Sequence, residues 1–395
     1  MSVSSATVSP MQRQYDEAKA ACGDAILLFR VGDFYELFNE DARTCGRVLG
    51  MTVTTREKGE NPTPMAGFPH HQLESYLAKL IRLGFRVAVC DQVEDPREAK
   101  GIVKREVTRI VTAGTLTDDA LLDPLQTNLL VAVFSLTPGK VEADAKVGIA
   151  WTELSTGRFE AGIFNRARLL DELARLEPSE VILRDDDAAL SPGNDYGWAV
   201  TLRPTWQFNA DEARRQLCQH FGTRSLEGMG WDDVEDGLAI GAAGAILAYL
   251  QETQKTSLIH LRSLLPSRQG KTLEIDAATR RSLEITQTMR DRQRQGSLLS
   301  VIDQTCTSMG ARLLASWLAN PLLDLKEIKQ RHAAVQEFVD EARLRKSLRE
   351  SLSGIYDLQR LLGRVATGRA SPRDLLQIGT TLQRLPELKQ ELEGC

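Results

Sequence analysis

Gly32-Asp33-Phe34-Tyr35-Glu36-Leu37-Phe38 decides the reading of this chain. It follows Ala25-Ile26-Leu27-Leu28-Phe29, an apolar run before Arg30 with the length and composition of a buried strand. Gly32-Asp33 then loosens the backbone into a turn or bulge. If residues 34–36 are extended, alternate residues share a face, so Phe34 and Glu36 point one way and Tyr35 the other. In a helix Phe34 and Glu36 would lie roughly 200° apart, at about 100° per residue, and could not act together. Two readings stay open on these seven residues. Either Phe34 is core, as Phe usually is, and Glu36 is solvated, or the ring and the carboxylate form one exposed functional pair.

Working outward, Ser9-Pro10 reads as a cap followed by proline at the first helical position, and Met11, Tyr15, Ala18 and Cys22 recur at helical spacing over 10–22. A helix is expected from about 37 to 48 on Leu37, Phe38, Ala42 and Cys45. Residues 51–55 are β-rich, and 56–71 read as a loop punctuated by Gly59, Pro62, Pro64, Gly67 and Pro69. Leu73, Tyr76, Leu77, Leu80 and Ile81 predict a helix over 72–83, and strands are expected around Phe85–Val89 and 103–113. The result is a small α/β domain.

Asp118–Asn128, with Pro124, reads as a linker. Beyond it, strands are expected at 129–134, 147–154, 158–164 and 180–184, with a helix at 166–176. From about 209 the pattern turns helical. Gly237–Gln254 is rich in Ala, Gly and Leu and suited to close packing; 255–271 reads as a loop; and a helical region with Asp276 as its first cap runs to the end.

The 395 residues suffice for two to four domains, and 42% apolar with 26% charged residues is ordinary globular composition. No apolar run approaches the ~20 residues of a membrane span, and residues 1–9 lack the basic start and apolar core of a signal peptide. The six cysteines show no CxxC pairing, which fits reduced thiols and argues against structural zinc. A net charge of −5 argues against a general polyanion binder, and acidic residues outnumber basic ones even within 1–125. Contact with nucleic acid would need a local patch. Arg97, Lys100, Lys104, Arg105 and Arg109 offer one, although a charged strand edge that blocks aggregation reads equally well.

Three strings in order, GDFYELF at 32–38, PMAGFPHH at 64–71 and RIVTAGT at 109–115, resemble the mismatch-recognition domain of the MutS family of DNA mismatch-repair proteins. Leu154-Ser155-Thr156-Gly157-Arg158-Phe159 is similar to a signature of that family's ribonuclease-H-like connector, with Glu153 where the family often has Asp. Residues 310–318, Asn320-Pro321 and 357–364 resemble the opening of its helical core, or lever. The fold class implied is an α/β N-terminal domain, a ribonuclease-H-like α/β connector and a mainly α-helical lever segment. The boundaries expected are a disordered tail at 1–9, recognition domain 10–117, linker 118–127, connector 128–254 and lever from 255 to 395.

The resemblance implies that Phe34 wedges beside a mispaired or unpaired base and that Glu36 hydrogen-bonds that base. It further points to Arg56 and Met65 near the duplex, and less firmly to Lys104, Arg105 and Arg109. The physics is consistent. Unstacking a base step costs about a few kcal/mol and least where pairing is already broken, so a wedge reads deformability rather than sequence. A protonated Glu36 could donate to an acceptor on the displaced base. Partners implied are double-stranded DNA with mismatches or small loops, a MutL-like protein on the connector, and a second copy, held weakly or not at all. The family resides in the bacterial cytosol at the nucleoid.

Full-length members are ATPases that use ATP and Mg; this chain stops at Cys395 in the lever. Its nearest approach to a P-loop, Gly270-Lys271-Thr272, has Leu265 where the first glycine is required. No enzymatic activity, cofactor or metal is therefore expected of the chain itself. The alternatives are a non-DNA-binding module that docks a repair partner through the connector, and a metal-dependent nuclease on the connector fold. The nuclease would need clustered carboxylates, for which Glu153 and Asp171 are too few.

Overall fold

Ser9 caps helix α1 (Pro10–Cys22) by accepting the Gln12 N–H, with Pro10 starting the helix. The structure, a computed structural model, describes residues 9–55, 63–95, 97, 101–137, 145–190, 196–232, 235–268 and 270–393. It divides into two units: Met1–Leu116 with Leu250–Thr256, and Thr117–Tyr249 with Ser257–Cys395.

In the first unit α1 is followed by β1 (Ile26–Val31), β2 (Phe34–Phe38), α2 (Asn39–Leu49), β3 (Thr54–Thr55), β4 (Pro64–Pro69), α3 (Leu73–Arg82), β5 (Val87–Gln92) and β6 (Arg105–Val111). The sheet runs β3-β4-β2-β1-β5-β6. It is mixed, because β1 pairs antiparallel with β2 but parallel with β5. On one face Tyr15, Ala18 and Cys22 of α1 pack on Leu27, Phe29, Phe38, Ala88, Cys90 and Ile110. The opposite face carries an aromatic series: Tyr35 lies 5.8 Å from Phe68, which stacks on Tyr76 of α3 at 3.9 Å. Lys19 ties α1 to α2 and β1 through Asp41 (2.9 Å) and the Ala25 carbonyl (2.7 Å).

Two expectations are corrected here. Helix α2 begins at Asn39, and Leu37 and Phe38 belong to β2, because pairing with β1 and β4 continues to the end of that strand. Residues 64–69, read as loop, form β4 along the whole of β2. Their Pro and Gly content hid an alternation in which Ala66 and Phe68 are buried. Residues 56–62 of the expected loop lie outside the described residues.

The second unit contains β7 (Leu130–Ser135), β8 (Lys146–Glu153), β9 (Arg158–Asn165), α4 (Leu169–Leu176), β10 (Glu180–Arg184), β11 (Ala199–Arg203), α5 (Ala210–Phe221), α6 (Gly237–Gln254) and β12 (Leu265–Pro266). Strands β7, β8 and β9 form an antiparallel meander; β10 pairs parallel with β7, β11 with β10 and β12 with β9. The sheet therefore extends into the segment read as the loop 255–271. Leu169, Leu173 and Leu176 of α4 pack against Val131, Val133, Ile149 and Trp151. Helix α6 approaches so closely that a Cβ on Gly148 would stand 2.0 Å from the Leu238 carbonyl oxygen, and one on Gly244 2.2 Å from the Ala213 Cβ.

Helices α7 (Ala277–Ser282), α8 (Leu298–Ile302), α9 (Ser308–Ala319), α10 (Leu325–Asp340), α11 (Ala342–Leu352), α12 (Leu358–Ala366) and α13 (Pro372–Leu392) follow. Asp276 caps α7 through the Thr279 N–H, but that helix is short, and turns connect it to α8 within the region read as helical. Residues 271–273 are held by Pro321 and Leu323 backbone groups rather than forming a phosphate loop. The segment read as a linker is gripped by arginines: Arg364 pairs with Asp119, Arg360 donates to the Asp123 and Gln126 carbonyls, and Arg312 to that of Pro124.

Candidate nucleic-acid interface

Phe34 stands at the tip of a hairpin. Gly32 takes φ 56°, a left-handed value that glycine adopts without a Cβ clash, and the Val31–Phe34 pair closes the turn. The turn is braced from outside: the His70 N–H donates to the Asp33 carbonyl at 2.8 Å, and Arg30 donates to that of Gly32. The strand then alternates. Phe34 is 49% exposed, Tyr35 2%, and Glu36 lies between these extremes. Tyr35 is anchored on the far face by its hydroxyl, which donates to Asp91 Oδ1 at 2.5 Å, and burial together with Asp91 pushes its pKa up.

Glu36 shares its face with Phe29 on one side and Gly67 on the other. Gly67 is exposed, and a Cβ there would lie 3.1 Å from the Tyr35 carbonyl oxygen and 3.7 Å from Glu36 Cγ. Gly67 thus places no side chain of β4 beside Glu36. Pro69 pairs with Phe34 and carries the same face to the edge of the hairpin. Gly67 and Pro69 were read from sequence only as loop-shaping residues. Had 64–69 been recognised as a strand, the period-two rule would have placed Met65, Gly67 and Pro69 beside Phe38, Glu36 and Phe34.

Of the other residues singled out in sequence, those described have separate places in the fold. Met65 is half-buried and packs against the α1-side core. Arg56 lies outside the described residues, as does Lys100. Arg105 is turned inward: it donates to the Arg30 carbonyl at 2.6 Å and the Val103 carbonyl at 2.8 Å, and sits 5.5 Å from the centre of the Phe29 ring. Burial lowers its pKa, while the charge of Glu36 is among those that oppose that shift. These contacts tie Arg105 to the strand edge. Lys104 is exposed but pairs with Glu106 at 2.6 Å. Arg109 is half-buried on β6, opposite Val89 where the β5–β6 register shifts.

In the second unit Glu153 is 3% exposed and receives Arg360 at 3.2 Å and the Thr156 hydroxyl at 3.2 Å. Asp171 accepts the Ala277 N–H at 2.8 Å. Both carboxylates are thus used within the fold, and the described residues contain no group of three or more His, Cys, Asp or Glu placed to hold a metal.

Family models for MutS domains I, II and III match residues 9–120, 128–262 and 278–395 in that order. The chain belongs to the MutS family. It is 56% identical to the DNA mismatch repair protein MutS of Rhodopirellula baltica, over 98% of this chain and 45% of that protein. The MutS proteins of Symbiobacterium thermophilum and Chlorobaculum parvum are 46% and 44% identical, each over 98% of this chain and 44% of their own length. The chain thus spans less than half of these MutS relatives. The matched MutS domains I–III are not the ATPase domain. No helix among the described residues is long and apolar enough to cross a membrane.

Proposed function

We propose that the chain binds duplex DNA at mispaired or unpaired bases in mismatch repair, with Phe34 as the wedge and Glu36 as the group that meets the displaced base. The observation that carries this reading is the pairing of a half-exposed Phe34 with Glu36 on one face while Tyr35 is buried behind them. A flat apolar ring at a braced hairpin tip enters a base step with little reorganisation. A carboxylate beside it is repelled by phosphates and can accept from a base edge that pairing no longer occupies. Phosphate contacts then fall to residues around this face, with Arg56 the first choice and Lys104 and Arg109 after it. A MutL-like partner on the second unit, ATP and Mg in the rest of a longer protein, and action in the bacterial cytosol complete the proposal.

The test is a fluorescence-anisotropy titration at low salt that compares a duplex carrying one unpaired thymine with its matched control. Binding is expected to be weak and salt-sensitive, tighter for the unpaired base in the wild type, and equal for the two duplexes in Phe34→Ala. Because Phe34 is half-exposed, that substitution should cost less than about 1 kcal/mol of stability, far from the ~3–5 kcal/mol of a core Phe. Equal affinity of the wild type for both duplexes, or discrimination that survives in Phe34→Ala, would sink the wedge.

A further inference from the structure

Both carbonyls of the turn before Phe34 are held from outside it. Arg30 of β1 donates to the Gly32 carbonyl. The Asp33 carbonyl receives two donors from one residue, His70: its backbone N–H at 2.8 Å and its ring Nδ1 at 3.2 Å. A carbonyl oxygen only accepts, so Nδ1 carries a proton, and the neutral ring keeps its lone pair on Nε2. The Asp33 carboxylate, 4.0 Å from the same nitrogen, is too distant to take that hydrogen bond.

The Asp33 oxygen lies in the rigid plane of the peptide that joins Asp33 to Phe34. Holding that oxygen limits rotation of the plane, and so the direction in which the Phe34 side chain leaves the strand. His70 can do this because it is itself held. It opens a single helical turn, His70–Gln72, that leads into α3, and its N–H is one of the donors that a helix start leaves without an internal partner. On its other side Pro69 pairs with Phe34, and Phe68 stacks on Tyr76 of α3. Phe68 and Leu77 are buried, so the brace stands on the core of the first unit.

We propose that His70 is a positioning residue for the wedge: its Nδ1–H, given to the Asp33 carbonyl, aims the Phe34 ring and so sets how well the chain tells an unpaired base from a matched pair. A ring half in water has few neighbours to orient it, and its direction comes from the backbone that carries it. A ring aimed elsewhere must be reoriented on insertion. That cost falls on the lesion complex alone and leaves phosphate contacts, common to both duplexes, as they were. The hydrogen bond stands on its own geometry; its consequence for discrimination rests on the reading of Phe34 as the wedge.

Two variants separate ring from donor. His70→Phe keeps a ring and deletes the donor; His70→Asn deletes the ring and keeps an N–H at the δ position. In anisotropy titrations on the unpaired-thymine duplex and its matched control, His70→Phe should lose about fivefold of the preference for the lesion, the worth of one hydrogen bond. Its affinity for the matched duplex and its melting temperature should not change. His70→Asn should stay within about twofold of the wild-type preference. Full preference in His70→Phe, or equal loss in both variants, overturns the proposal, the second by making the ring and not the donor the cause. NMR of the chain labelled at its histidine nitrogens, at about pH 8.5 where imidazoles are neutral, reads the bond without DNA. The His70 signals, assigned by their absence from His70→Asn, should report the Nδ1–H tautomer; the Nε2–H tautomer would remove the bond and the proposal together. If Phe34→Ala abolishes discrimination and His70→Phe does not, only the role of His70 falls. If the wild type fails to discriminate while the Nδ1–H tautomer is found, the wedge itself falls and takes that role with it.

Discussion

The face of β2 and the buried edge of α12 handle polarity in opposite ways. On β2 an aromatic ring is left half in water although Phe38, four residues along the same face, is 3% exposed under α1. On α12 Arg360 is taken almost wholly out of water, at 3% exposure, and is compensated by Glu153 and two backbone carbonyls. An exposed apolar side chain is unremarked on most surfaces. Here it is held at a braced turn beside a carboxylate, so the exposure is specific. The buried charge does the reverse: it locks segments more than two hundred positions apart, where removal of one member strands the other. One region has its stability supplied from behind and leaves a ring half in water at its tip; the other has no front.

That contrast is broken most readily at Arg360. Arg360→Leu removes the ion-pair partner of buried Glu153 and should cost about 3–5 kcal/mol in urea unfolding, and the double variant with Glu153→Leu should recover much of the loss. A single-variant cost near zero would show that water reaches Glu153 and that the region is not closed. A smaller effect concerns acid. Burial raises the Asp374 pKa, but the Ser371 N–H, Arg364 and the Ser371 hydroxyl outweigh it and hold the carboxyl below its usual range. Its contribution is therefore complete above the unfolded value of about 3.9 and is lost as pH falls through the lower folded value. Asp374→Asn should be less stable than wild type at neutral pH and lose less on acidification below about pH 4; parallel acid curves would remove Asp374 from the account. Smaller again, Tyr35→Phe deletes the bond to Asp91 and should cost about 1 kcal/mol without altering discrimination between lesion and matched duplex, because Tyr35 faces away from Phe34. A loss of discrimination in Tyr35→Phe would mean that the two faces of β2 are not independent.

Much of this was legible beforehand because it is local. Alternation over three residues placed Phe34 with Glu36 and Tyr35 against them. Caps at Ser9 and Asp276, and the apolar spacing of α1 and α3, likewise need only a few neighbouring residues. The strand at 64–69 was missed because Pro and Gly read locally as loop, and only pairing along β2 satisfies its backbone groups. The arginines were the least legible. Arg105 and Arg109 are two of a charged run until the fold turns the first onto the Arg30 carbonyl. Nothing near Glu153 in sequence announces Arg360.

The amino-acid sequence by itself therefore determined the family, the order of its domains and the two faces of the wedge strand, since motif order and side-chain periodicity are properties of contiguous residues. Only the tertiary structure decided which end of β2 is covered and which charges are buried. Burial and compensation are set by groups that arrive from distant parts of the chain, and the free energy of a charge or a ring depends on what surrounds it.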